Sequence, residues 1–104
     1  MVNKMKKTII TVVGKDTVGI IAKVCTYLAE NKVNILDISQ TIVQGFFNMM
    51  MIVDAGKIDK SFGQFSDEIR AIGEDIGVQI RVQQEDIFNK KLRRISKNFF
   101  KRFY

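Results

Sequence analysis

A chain of 104 residues, 46% apolar and 27% charged, has the length and balance of a single water-exposed domain with one core, and no apolar run approaches the roughly 18 residues of a membrane span. One cysteine excludes an internal disulfide, and the lack of histidine excludes a Ser-His-Asp or Cys-His nucleophile and removes the commonest metal ligand. The formal net charge of +6 is unevenly spread: residues 1–86 carry ten Lys/Arg against eleven Asp/Glu, and residues 87–104 carry seven Lys/Arg and no acid, so only the tail argues for an anionic partner.

The N-terminus, Met1 to Lys7, is basic, but Thr8–Val13 is too short and threonine-rich for a signal core and Lys15-Asp16 ends it, so a cytoplasmic protein is expected. Thr8–Val13 is rich in β-branched residues and ends at Gly14; it reads as a central strand, apolar on both sides. Asp16 and Thr17 offer N-cap chemistry, so a helix is expected to begin near Asp16, with Ile21, Val24, Cys25 and Leu28 as its core stripe and Asn31-Lys32 as its end. Cys25 on that stripe reads as a small buried hydrophobe.

Ile35–Val43 returns to strand composition, Gly45 marks a tight turn, and Phe46–Val53 completes a hairpin. In the second strand Phe47, Met49, Met51 and Val53 line one face and Phe46, Met50 and Ile52 the other. Residues 54–57 form a loop. Phe62, Phe65, Ile69, Ile72 and Ile76 then recur at helical spacing, with Gly73 weakening the helix and Gly77 stopping it. Val78, Ile80 and Val82 alternate with Gln79, Arg81 and Gln83, the pattern of an edge strand with one wet face.

The order β-α-β-β-α-β predicts an α+β, ferredoxin-like sandwich: a four-stranded antiparallel sheet with both helices on one face. Residues 1–86 form this domain and 87–104 a basic amphipathic C-terminal helix, with Phe88, Leu92, Ile95, Phe99 and Phe103 as its apolar stripe. The first and third strands would leave apolar side chains on the other face, and a patch of that kind marks an interface. At about 25 cal/mol per Å², covering a few hundred Å² contributes several kcal/mol. Either a second copy or the C-terminal helix is expected there.

The run Val13-Gly-Lys-Asp-Thr-Val-Gly-Ile20, followed by Val33-Asn-Ile-Leu-Asp37, concentrates the chemistry. A first helical turn presents unpaired N–H groups that, with the helix dipole, attract an anion such as a carboxylate, and Gly19 permits close approach. The same residues could merely cap the helix and relieve packing. This run, with Ile38-Ser-Gln-Thr41, resembles the ACT domain over roughly residues 6 to 86, and in particular the small stand-alone bacterial ACT proteins of the UPF0237 family. The resemblance implies a homodimer that binds an amino acid between subunits. It implies ligand contacts from Asp16 of one subunit and Asn34 of the other, with the backbone around Gly14, Gly19, Ile20 and Ile35 completing the site. Asp16 departs from the asparagine of serine-sensing relatives; an aspartate attracts an ammonium group and repels a carboxylate.

Competing motifs are weaker. Gly14 and Gly19 have phosphate-loop spacing, but Ile20-Ile21 stands where Lys-Ser/Thr is needed. Phe46 and Phe47 point to opposite faces and do not make the aromatic platform of an RNA-binding sheet. Met49-Met50-Met51 alternates across the sheet and reads as core filling rather than a metal site. Asp67-Glu68, Glu74-Asp75 and Glu85-Asp86 are diverging neighbours on solvated faces. Asp37 reads as an edge-exposed acid or as the partner of a cation near the ligand loop. No catalytic residue, metal or cofactor is expected. Two functions follow: a regulatory domain that binds a small amino-acid ligand and signals to a protein partner, or a dimerising adaptor whose tail binds an anionic membrane surface or nucleic acid.

Overall fold

A computed structural model describes residues 6–15 and 19–85. Its elements run β1 (Lys7–Lys15), α1 (Ile20–Glu30), β2 (Asn34–Val43), β3 (Phe46–Asp54), α2 (Phe62–Ile76) and β4 (Val78–Gln84). The sheet order is β2-β3-β1-β4, with all three neighbouring pairs antiparallel. This is the ferredoxin-like sandwich expected from the alternating apolar patterns. β1 is central as its two apolar faces require, and β4 lies at an edge as its single apolar face allows. The C-terminal helix expected over 87–104 lies outside the described residues.

Local chemistry explains the element ends. The β2–β3 turn places Gln44 (φ 51°) and Gly45 (φ 81°) in succession at positive φ, the two-residue geometry that suits the right-handed twist of paired strands. Ser61 caps α2 by accepting from the Gln64 amide at 3.1 Å, and Gly77 closes it at φ 76°. α1 ends on a left-handed Lys32 (φ 59°), where the Val33 amide donates to the Leu28 carbonyl and the Lys32 amide to that of Ala29. That is a Schellman closure with lysine where glycine is usual.

The start of α1 differs from expectation. β1 continues one residue past Gly14, and α1 begins at Ile20, with Gly19 (φ 93°) rather than a polar residue at the N-cap. The buried stripe shifts with it to Ile20, Val24 and Leu28; Ile21 is exposed and Cys25 only half-buried. A stripe at intervals of four, beginning one residue earlier, aims α1 at the sheet and turns Ile21 outward.

The core lies between the sheet and the two helices. Ile10, Val12, Phe47, Met49, Met51, Val53, Val78 and Ile80 from the strands meet Val24, Leu28, Phe65 and Ile69 from the helices. The methionine run alternates as its period requires: Met49 and Met51 are buried and Met50 is exposed. Gly73 lies in α2 so that the helix can sit on β4. A Cβ there would fall 2.8 Å from Ile80 Cγ1 and 3.0 Å from the Val78 carbonyl oxygen. Helix propensity alone would favour Gly73→Ala by about 1 kcal/mol. Overpacking outweighs it, and urea unfolding of the variant should show a net loss of about 1–2 kcal/mol. A gain in stability would mean that α2 and β4 do not approach this closely.

Candidate functional site

The residues singled out at the β1–α1 junction separate into structural and available groups. Gly14 is half-buried opposite Val78 of β4, and a Cβ on it would lie 2.6 Å from Val78 Cγ1. Its missing side chain serves strand packing. Ile20 is buried in the core, so only its backbone can meet a ligand. Gly19 is different: it is exposed, left-handed, and a Cβ placed on it would meet nothing within 4 Å. The first α-helical bond runs from the Lys23 amide to the Gly19 carbonyl at 3.0 Å, and Gly19 has no side chain to cap the turn. No side chain at this N-cap bonds the amides of the first turn, which helix geometry leaves without an intrahelical partner. Asp16 lies outside the described residues.

Asn34 and Ile35 lie elsewhere. Asn34 pairs with Asp54, and Asp54 with Lys7, whereas Gly14 pairs with Phe47 near the opposite end of β1. At ~3.3 Å per strand residue, the register separates the Asn34 row from the Gly14 row by roughly 23 Å. Asn34 is exposed at the start of β2, an edge strand, and Ile35 is half-buried opposite Val53. One chain thus gathers Gly14, Gly19 and Ile20 at one end of the sheet and holds Asn34 and Ile35 at the other.

The sheet face away from the helices is apolar in patches. Val13 is 44% exposed, Phe46 49% and Met50 40%, beside Thr11, Ser39, Thr41 and Asn48. On the helix side, β2 leaves Ile38 and Ile42 exposed. Asp37 is exposed beside a bulge in β2, where its carboxylate accepts from the Ile38 amide at 2.8 Å. Among the described residues no helix is long and apolar enough to cross a membrane, and no three acidic or thiol side chains gather into a cation site.

The sequence reading missed one polar cluster. Glu68 does not simply face solvent. Its Oε1 accepts from the Tyr27 hydroxyl at 2.8 Å and from Lys60 Nζ, and its Oε2 from Gln64 at 3.1 Å. Lys60 also lies 5.6 Å from the centre of the Tyr27 ring, which stacks on Phe65 at 5.9 Å. Lys60, then Tyr27 and Gln64, hold the Glu68 carboxyl below its ordinary value. Burial, then Glu68, pushes the Tyr27 hydroxyl above its own. Helical spacing joins Gln64 to Glu68, but nothing in the sequence joins Glu68 to Tyr27, 41 residues away.

The chain matches the ACT domain family over residues 6–83. It belongs to that family. The UPF0237 protein of Bifidobacterium longum is 63% identical over 86 residues, covering 83% of this ACT domain chain and 96% of the relative. The UPF0237 protein of Methanocaldococcus jannaschii is 45% identical over 84 residues, covering 81% and 93%. Among solved structures, an ACT domain protein from Streptococcus pneumoniae superposes with a TM-score of 0.72 at 41% identity, covering 82% of this chain and 96% of that one. A formyltetrahydrofolate deformylase from Pseudomonas syringae gives the same TM-score at 24% identity, but the match covers only 28% of that protein; there the likeness is one of fold.

The Glu68 cluster has a pH signature. A carboxyl whose folded pKa is lowered contributes stability above its unfolded value and loses it as pH falls through the folded one. Glu68→Gln should therefore be less stable than the parent at about pH 7, and the difference should close toward about pH 3, as followed by urea unfolding at both values. A difference independent of pH would assign the effect to shape rather than charge.

Proposed function

We propose that this ACT domain is a non-catalytic regulatory module of the cytoplasm that binds an amino acid or similar small molecule between two copies of the chain and signals to a protein partner. The observation that carries the reading is the separation of the two site halves. A two-fold axis perpendicular to the strands inverts their direction, so it can bring the Gly19 end of one copy to the Asn34 end of the other. The exposed edge of β2 and the uncovered apolar side chains on the sheet give a second copy surface to bury.

In this reading the first-turn amides around Gly19 and Ile20 receive the ligand carboxylate, helped by the positive end of the α1 dipole. Asp16 holds the ammonium group, and Asn34 with the backbone of Ile35 closes the site from the other copy. Gly14 contributes by keeping the end of β1 against β4. A bound ligand then favours the arrangement of copies in which both halves meet, and the partner reads that shift.

Calorimetry against the twenty amino acids, with light scattering for the dimer, tests this. Asp16→Ala and Asn34→Ala should each abolish binding at millimolar concentration. Mixing the two variants should restore it at one site per mixed dimer, because one junction then carries both native residues. No binding by the parent, or no recovery on mixing, would sink the shared site.

A second reading rests on the tail. The family match stops at residue 83, and residues 87–104 carry seven basic residues and no acid. An adaptor would dimerise through the body and bind an anionic surface through this segment. Deleting residues 89–104 should then abolish salt-sensitive binding to anionic vesicles or nucleic acid while the fold survives; unchanged binding would remove the adaptor from contention.

A further inference from the structure

The end of the sheet remote from Gly19 holds a cavity of about 320 Å³, a volume suited to a small ligand. It lies between the start of β1, the residues after β3 and the first turn of α2. Ile58, Phe62 and Phe65 give it an apolar wall, and Lys6, Lys7 and Lys60 line it, with Glu85 the one acid among the described lining residues.

Two features distinguish this space from a packing remnant. Thr8 lines it while only 1% exposed, on the core face of β1 where the next two positions, Ile10 and Val12, are apolar. Among the described residues its hydroxyl donates to the Lys6 carbonyl at 3.5 Å, the outer limit of a hydrogen bond, and its oxygen retains acceptor capacity. Lys60 is also held in place: Glu68 and the ring of Tyr27 steer its ammonium group. A positioned cation beside an aromatic wall matches a guest with an anionic head and an apolar body.

We propose that this cavity is a second ligand site, for a small amphipathic carboxylate whose apolar part packs on Ile58, Phe62 and Phe65 and whose oxygens meet the lysine rim beside Thr8. It is separate from the Gly19–Asn34 site, and neither reading depends on the other. Because Lys60 serves both the rim and Glu68, a bound carboxylate competes with Glu68 for the ammonium group. Occupancy is thereby felt at Tyr27 on α1, whose hydroxyl shares the same Glu68 oxygen.

The test is a titration of the full-length, ¹⁵N-labelled protein with 3-phenylpropionate, with 3-phenylpropionamide as the uncharged control, followed by amide chemical shifts. Saturable shifts are expected at Lys7, Thr8, Ala55 and residues 60–65. The amide control, Lys60→Gln and Lys6→Gln should each bind about threefold or more weakly, the scale of one exposed charge contact. Thr8→Val keeps the shape and should also weaken binding. Tyrosine fluorescence should change on binding in the parent and not in Tyr27→Phe. Absence of saturation at millimolar ligand, or equal binding of acid and amide, would overturn the proposal. So would affinity unchanged in both lysine variants. Shifts confined to Gly19 and its neighbours would overturn it too while leaving the shared site standing.

Discussion

Two helices can cover only one face of a four-stranded sheet, and the consequences of that constraint organise this molecule. The connections β1-α1-β2 and β3-α2-β4 put the packing energy on one side, where Ile10, Val12, Met49 and Met51 meet Val24, Leu28, Phe65 and Ile69. α2 lies so close to β4 that Gly73 permits no side chain without displacement. The opposite face leaves Val13, Phe46 and Met50 exposed, and among the described residues β2 has one edge unpaired. The same topology fixes polarity: β1 ends where α1 begins, α1 runs back, and β2 starts from the other end. Gly19 and Asn34 are consequently far apart within a chain, although only fifteen positions separate them in sequence.

Most of the fold was legible because its signals are periodic. Alternation along Phe46–Val53 and Val78–Val82 assigns each side chain to a face, since a strand has no other period to adopt. The α2 stripe and its Ser61 and Gly77 ends are equally local. The start of α1 was not legible, because Asp16, Thr17 and Gly19 are all acceptable N-cap residues and propensity does not choose among them; burial of Ile20 goes with the start that is observed. Glu68 was misread for a related reason. A neighbouring acid pair looks solvated from the sequence, and only the packing of α1 beside α2 brings Tyr27 within 2.8 Å of one member.

The candidate site was legible in composition but not in geometry. Gly14 and Gly19 occur five residues apart and read as one motif, yet they do different work. Gly14 makes room for Val78, a contact that depends on which strand pairs with β1; Gly19 is left-handed beside open space. No periodicity separates a glycine needed by a neighbouring strand from one needed by a turn. The cavity near Thr8 was invisible for the same reason, since Lys6, Lys60 and Phe65 meet only through the fold.

A site divided between copies carries a thermodynamic consequence that a site within one chain does not. A ligand that binds only the assembled pair stabilises that pair by mass action, by about 2.7 kcal/mol at a hundredfold excess over its dissociation constant. By linkage, anything that draws the copies together raises ligand affinity by the same factor. In the proposed reading the uncovered face and the free β2 edge have a functional reason to be incompletely satisfied in one chain. An interface already at its strongest would leave the ligand little to change, whereas one of moderate strength lets a few contacts at Gly19 and Asn34 shift the population. On that reading the regulatory response is set jointly by the apolar area between copies and by the polar groups at their junctions.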